Sequence, residues 1–135
     1  MISVLRTTFL AALRKVAQMR SDAPPPNATT HVVRLQTMNI PDQFLDISLS
    51  QNNLVCSVAI PCRGTITEPW GVSVRWLPLH DYVAAEDRTA VLQLDRQPLW
   101  LAIHADHTNA VFQSVPHKEE IYADEKANSG VLPQQ

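Results

Sequence analysis

Glycine is nearly missing from this chain of 135 residues: only Gly64, Gly71 and Gly130 occur. Glycines so scattered build neither a phosphate-cradling P-loop nor a dinucleotide fingerprint, since both need clustered glycines between a strand and a helix. Cysteine is as sparse, with Cys56 and Cys62 alone. Secreted disulfide scaffolds carry more, so both are read as reduced thiols. No apolar run approaches the roughly eighteen residues of a membrane-spanning helix. The longest early run, residues 9–13, is too short for a secretory signal and meets Arg14 and Lys15 at once. No serine stands in a nucleophile elbow.

Acid is missing from the first twenty residues, which hold Arg6, Arg14, Lys15 and Arg20. Setting those four aside leaves seven basic residues against thirteen acidic ones, so residues 21–135 carry a formal −6. Phosphate binding draws most of its affinity from Lys and Arg. On that ground direct nucleic-acid binding is not expected of so acidic a body.

Residues 1–21 read as an amphipathic helix, with Ile2, Leu5, Phe9, Ala12, Leu13 and Val16 on one face. Pro24, Pro25 and Pro26 break any helix, so residues 22–29 read as a linker. Three roles fit residues 1–20. An amphipathic, Arg-bearing, acid-free start followed by a linker has the features of a mitochondrial targeting segment. The same helix would lie on an anionic membrane surface. It would also serve as the first helix of a fold. The import reading is favoured, with Arg6, Arg14, Lys15 and Arg20 as targeting residues.

Residues 30–116 read as the folded body. Val33 and Leu35 share one face of a first strand. The stretch LDISLSQNNLVCSVAI predicts a hairpin about Asn52 and Asn53, which tolerate the positive φ of a tight turn. Leu49 then faces Cys56, Ile47 faces Val58 and Leu45 faces Ile60, while Ser50, Ser48 and Asp46 face Val55, Ser57 and Ala59. One side is wholly apolar, and a one-residue slip would destroy that match. GVSVRWL predicts a strand ended by Pro78. HDYVAAED fits a short helix or a wide loop. A second hairpin is expected with residues 95–98 as its loop, pairing Leu94 with Leu99 and Leu92 with Leu101. AVFQSV adds a last short strand. Six or seven short strands with turn signals between them predict a mainly β fold, a small antiparallel β-sandwich or partly open barrel. No internal repeat is evident beyond the two hairpins. Residues 117–135 read as a polar tail or an arm along a partner.

Chemistry is thin. His104, Asp106 and His107 could hold a cation, but their spacing matches no strong metal pattern. They support an alternative reading as a small metal- or ligand-binding β-protein. Arg63 beside Cys62 would favour a thiolate, yet no base is placeable against it. That leaves an enzyme with Cys62 as nucleophile a distant third reading. No cofactor and no catalytic set is expected. Phe9, Leu13, Trp70 and Trp100 are candidate partner contacts, because large apolar side chains anchor interfaces. The expectation from sequence is a non-catalytic accessory subunit of a mitochondrial assembly: a respiratory or ATP-synthase complex, or the mitoribosome periphery. Its partners would be other protein subunits, with a possible membrane-surface contact through residues 1–20. Its place would be the matrix or inner membrane, with the cytoplasm as the alternative.

Overall fold

A computed structural model describes residues 1–18, 31–39, 42–51 and 54–116. In chain order the elements are β1 (Ile2–Leu5), α1 (Arg6–Gln18), β2 (Val32–Met38), β3 (Phe44–Gln51), β4 (Leu54–Pro61), β5 (Arg63–Gly64), β6 (Gly71–Arg75), α2 (Trp76–Ala85), β7 (Val91–Arg96), β8 (Trp100–His104) and β9 (Asn109–Gln113). The strands form one five-stranded sheet, in the order β5-β1-β7-β8-β9, and one four-stranded sheet, β4-β3-β2-β6. Every pairing is antiparallel. The fold is therefore mainly β and sandwich-like, without closure into a barrel among the described residues.

The chain runs through the same β-α-β-β-β order twice, first as β1 to β4 and then as β6 to β9. The first strand of each unit lies in the other unit's sheet: β1 pairs with β7 and β6 pairs with β2. The registers correspond, with Leu5 opposite Val91 and Arg75 opposite Val32. Backbone bonds repeat the exchange, since Arg6 N–H donates to the Ala90 carbonyl at 3.0 Å and Trp76 N–H to the His31 carbonyl at 2.9 Å. Neither half can complete a sheet without the other. The repeat escapes a reading of the sequence because the two units share a bonding pattern and not a residue pattern.

The first hairpin forms in the expected register, Leu49 opposite Cys56, Ile47 opposite Val58 and Leu45 opposite Ile60. Its turn at Asn52 and Asn53 lies outside the described residues. The second hairpin differs from expectation. Leu94 faces Ile103 and Arg96 faces Leu101, so the loop is residues 97–99. Gln97 N–H donates to the Trp100 carbonyl at 2.9 Å, and the Arg96 guanidinium donates to the Gln97 carbonyl, which together close the tighter loop. The shift is even, so Leu92, Leu94, Leu101 and Ile103 still face the core.

Two further corrections concern the helices. Residues 1–21 are not one helix, because Ile2 and Val4 alternate inward with Ser3 and Leu5 outward as β1. The strand expected to run on to Trp76 ends at Arg75, where α2 begins. Pro78 sits in the first turn of α2, where its missing N–H would have no intrahelical acceptor.

The core joins both halves. Phe9, Leu13 and Val16 of α1 are fully buried with Leu35, Ile47, Leu79, Val83, Leu92 and Ile103. This explains the amphipathic stripe of α1: its apolar face seals the inner side of β3 and β4 and meets α2. Burying side chains of this size stabilises by about 1.5–3 kcal/mol each.

Candidate nucleic-acid face

α1 and α2 pack against each other and turn their outer sides to solvent. The outer side of α1 carries Thr7, Ala11, Arg14, Lys15 and Gln18. Arg88 is exposed beside the start of α1, where the Thr7 hydroxyl donates to its carbonyl at 2.9 Å. The cations Arg14, Lys15 and Arg88 thus share this side with Asp81 and Asp87.

His80 organises the junction. Arg14 Nε lies 3.2 Å from His80 Nε2, and a guanidinium can only donate. His80 Nε2 must therefore accept, which places the ring proton on Nδ1, 3.1 Å from Asp81 Oδ1. The ring stacks on Trp76 with centroids 4.6 Å apart, and Trp76 Nε1 donates to the Leu13 carbonyl at 2.9 Å. Arg14 is held by this chain while the rest of its guanidinium stays at the surface. Tyr82 and Thr108 share a 2.8 Å hydrogen bond, and Thr108 donates to Glu86 at 3.0 Å, fixing the other end of α2 to the β8–β9 turn.

The residues singled out from sequence fall in different places. Phe9 and Leu13, expected to meet a partner, are sealed in the core. Trp70 is half-buried, and its backbone N–H donates to Thr37 Oγ1 at 2.8 Å. Trp100 keeps 39% of its surface exposed on the outer side of the five-stranded sheet. Arg6 is spent inside the fold on the carbonyls of Val83 and Ala84. Lys15 is exposed at the surface, and Arg20 lies outside the described residues, as do residues 22–29 and 117–135. His104 Nδ1 is engaged by Asn109 Oδ1 at 2.7 Å, while Asp106 and His107 are exposed in the turn beyond it. Among the described residues no three His, Cys, Asp or Glu side chains converge on a cation-sized site. Cys62 is buried, and burial pushes its thiol up, which opposes the thiolate a nucleophile needs; a Gln43 hydrogen bond offsets this only in part. The residue the sequence reading did not place is His80. The four-residue spacing of Trp76 and His80, one helical turn, is the signal that joins them.

No protein-family model matches this sequence, and comparison with curated proteins finds no relative. Comparison with solved structures does. The chain superposes on the Helicobacter pylori beta clamp with a TM-score of 0.70 at 14% identity, covering 100% of this chain and 32% of that one. It matches Caulobacter crescentus pol III beta with a TM-score of 0.68 at 15% identity, covering 99% and 31%. It matches the DNA polymerase III subunit beta of Pseudomonas aeruginosa with a TM-score of 0.65 at 13% identity, covering 100% and 32%. The chain therefore spans about a third of the length of the clamps it resembles. At these identities the likeness is one of fold.

These neighbours correct four expectations. They are bacterial DNA polymerase subunits and not respiratory, ATP-synthase or mitoribosomal proteins. The mitochondrial address fails for a structural reason too, because residues 2–18 are a strand and a helix of the fold. No apolar face of α1 is left over for a membrane surface, since that face is the core. The argument from bulk acidity against nucleic acid also falls. Whole-chain charge does not describe the outer side of α1, which carries Arg14 and Lys15 and no acid.

Proposed function

We propose that this chain is a clamp-type accessory module of a DNA polymerase machinery, non-catalytic, that rests on duplex DNA through the outer side of α1 and α2. The observation that carries the reading is the superposition of the whole chain on about a third of each DNA polymerase clamp. Arg14 and Lys15 support it as phosphate contacts, with Arg14 held in place by His80. Such contacts neutralise backbone charge without reading bases, which suits a protein that must move along DNA. The buried, raised Cys62 thiol agrees with a role that makes and breaks no covalent bond.

Fluorescence anisotropy with a labelled duplex tests this. Binding should be weak, indifferent to sequence and strongly salt-dependent. Arg14→Gln together with Lys15→Gln should lower the slope of log affinity against log salt by about 2. No binding at low salt, or a slope unchanged in the double variant, would refute it.

A further inference from the structure

Arg14 and His80 meet across the helix pair, and the atoms they share limit what each can do. Arg14 spends its Nε on His80 Nε2 at 3.2 Å, and among the described residues its two Nη groups take no acceptor. The imidazole is enclosed. Its side chain keeps 18% of its surface, one ring face lies on Trp76 with the planes 16° apart, and Nδ1 meets Asp81. A ring so covered is badly placed to touch phosphate itself, but well placed to aim the guanidinium that does.

The bond between them needs a neutral ring. Neither a guanidinium nor an imidazolium has an acceptor, so a proton on Nε2 sets donor against donor at 3.2 Å. It also sets two cations side by side. On α2, Asp81 adjoins the ring, while Tyr82 is turned to Thr108. Three elements pack closely on α2: α1, β6 and β9. From α1 come Arg14 and Lys15, with Arg6 held at the far end of α2. β6 brings Arg75 alone, and β9 has no ionisable residue. Asp81 is the one carboxylate among these groups, and it already holds Nδ1 and leaves Nε2 to Arg14.

We propose that His80 is a positioning residue for Arg14 and works only as neutral imidazole. Proton uptake on Nε2 releases Arg14 and removes its advantage as a phosphate contact. This switch rests on the DNA reading and adds a proton dependence to it. Histidine is the side chain whose charge ordinarily changes between pH 5 and 8. Holding one long side chain beforehand in its bound geometry is worth about three- to tenfold in affinity.

The test compares the full chain with Arg14→Gln in binding a labelled duplex at pH 8 and pH 5.5, at one ionic strength. The ratio of the two affinities at each pH cancels the charge gained by the other histidines. That ratio should be about three- to tenfold smaller at pH 5.5 than at pH 8. In a His80→Gln background it should hold at both pH values, because an amide oxygen accepts from Arg14 without titrating. Independently of DNA, nitrogen-15 NMR of the His80 ring at pH 8 should find its proton on Nδ1. With duplex bound, a ratio as large at pH 5.5 as at pH 8 overturns the switch and leaves the DNA reading standing. So does a ring proton on Nε2 at pH 8, or a pH dependence that survives His80→Gln. No duplex binding at either pH removes the DNA reading, and the switch with it.

Discussion

Arg6 reaches across the molecule to Val83: its Nε donates to the Val83 carbonyl at 3.0 Å, and its Nη2 to Ala84 at 2.8 Å. Trp76 returns the contact by donating from Nε1 to the Leu13 carbonyl at 2.9 Å. Arg6 and Trp76 each open a helix, and Leu13 and Val83 stand at the same distance along α1 and α2. Each half of the chain is tied to the other through equivalent atoms.

Arg6 is also the charge at the C-terminal end of α2, where the dipole is negative and Arg6 joins the Glu86 N–H on the Val83 carbonyl. Arg6→Ala should cost about 1–2 kcal/mol, read as a fall in the thermal midpoint. Arg6→Lys should recover only part, because an ammonium cannot span two carbonyls as a guanidinium does.

Phe9 and Leu13 distinguish a core helix from a detachable one. Both are fully buried between the sheets and α2. Leu13→Ala should cost about 2–5 kcal/mol and Phe9→Ala about 3–5 kcal/mol in urea unfolding, the range for cavities in a packed core. A loss under about 1 kcal/mol would mean that α1 does not belong to the cooperative unit.

How much of this was visible in the sequence varies by element. The hairpin from Phe44 to Pro61 was legible to the residue, because strict two-residue alternation on both strands permits one register. In the second hairpin alternation gave the right faces but not the right loop, since Leu94 keeps an apolar neighbour in either register. Ile2 and Leu5 fit a helical stripe as well as a strand, so β1 was absorbed into α1. Trp76 continues the two-residue alternation of Val72 and Val74 across Arg75, which hides the start of α2. The helix-pair face was missed for another reason. Net charge averages over the chain, and only the fold shows that Arg6 is half-buried and engaged by the end of α2 while Arg14 and Lys15 remain outside.

The glycines should separate sharply. Gly64 holds φ at +110°, and a Cβ there would stand 2.5 Å from the Met1 carbonyl oxygen. Both the backbone conformation and the β5–β1 contact resist a side chain. Gly64→Ala should destabilise by about 1–3 kcal/mol. At Gly71 the obstacle is the guanidinium end of Arg34, the far end of a flexible side chain that also reaches Ser73 Oγ at 3.4 Å, and not backbone. Gly71→Ala should therefore unfold in urea close to the parent midpoint, and a loss as large as that of Gly64→Ala would show that Arg34 is pinned.

Asp46 sets a pH dependence. It lies on the outer side of the four-stranded sheet, opposite Gln36 and Ala59, and partial burial pushes its carboxyl above the ordinary value. The folded chain therefore holds this proton more tightly than the unfolded chain. Protons bound in excess by the native state mean that stability falls as pH rises, from the unfolded carboxyl's pKa through the folded one. Below that window Asp46 costs nothing; above it the ionised carboxylate opposes folding. Asp46→Asn should raise the thermal midpoint at pH 7, leave it unchanged near pH 3, and flatten the difference between them. A variant less stable than the parent at pH 7 would instead show that the Asp46 carboxylate has a stabilising partner.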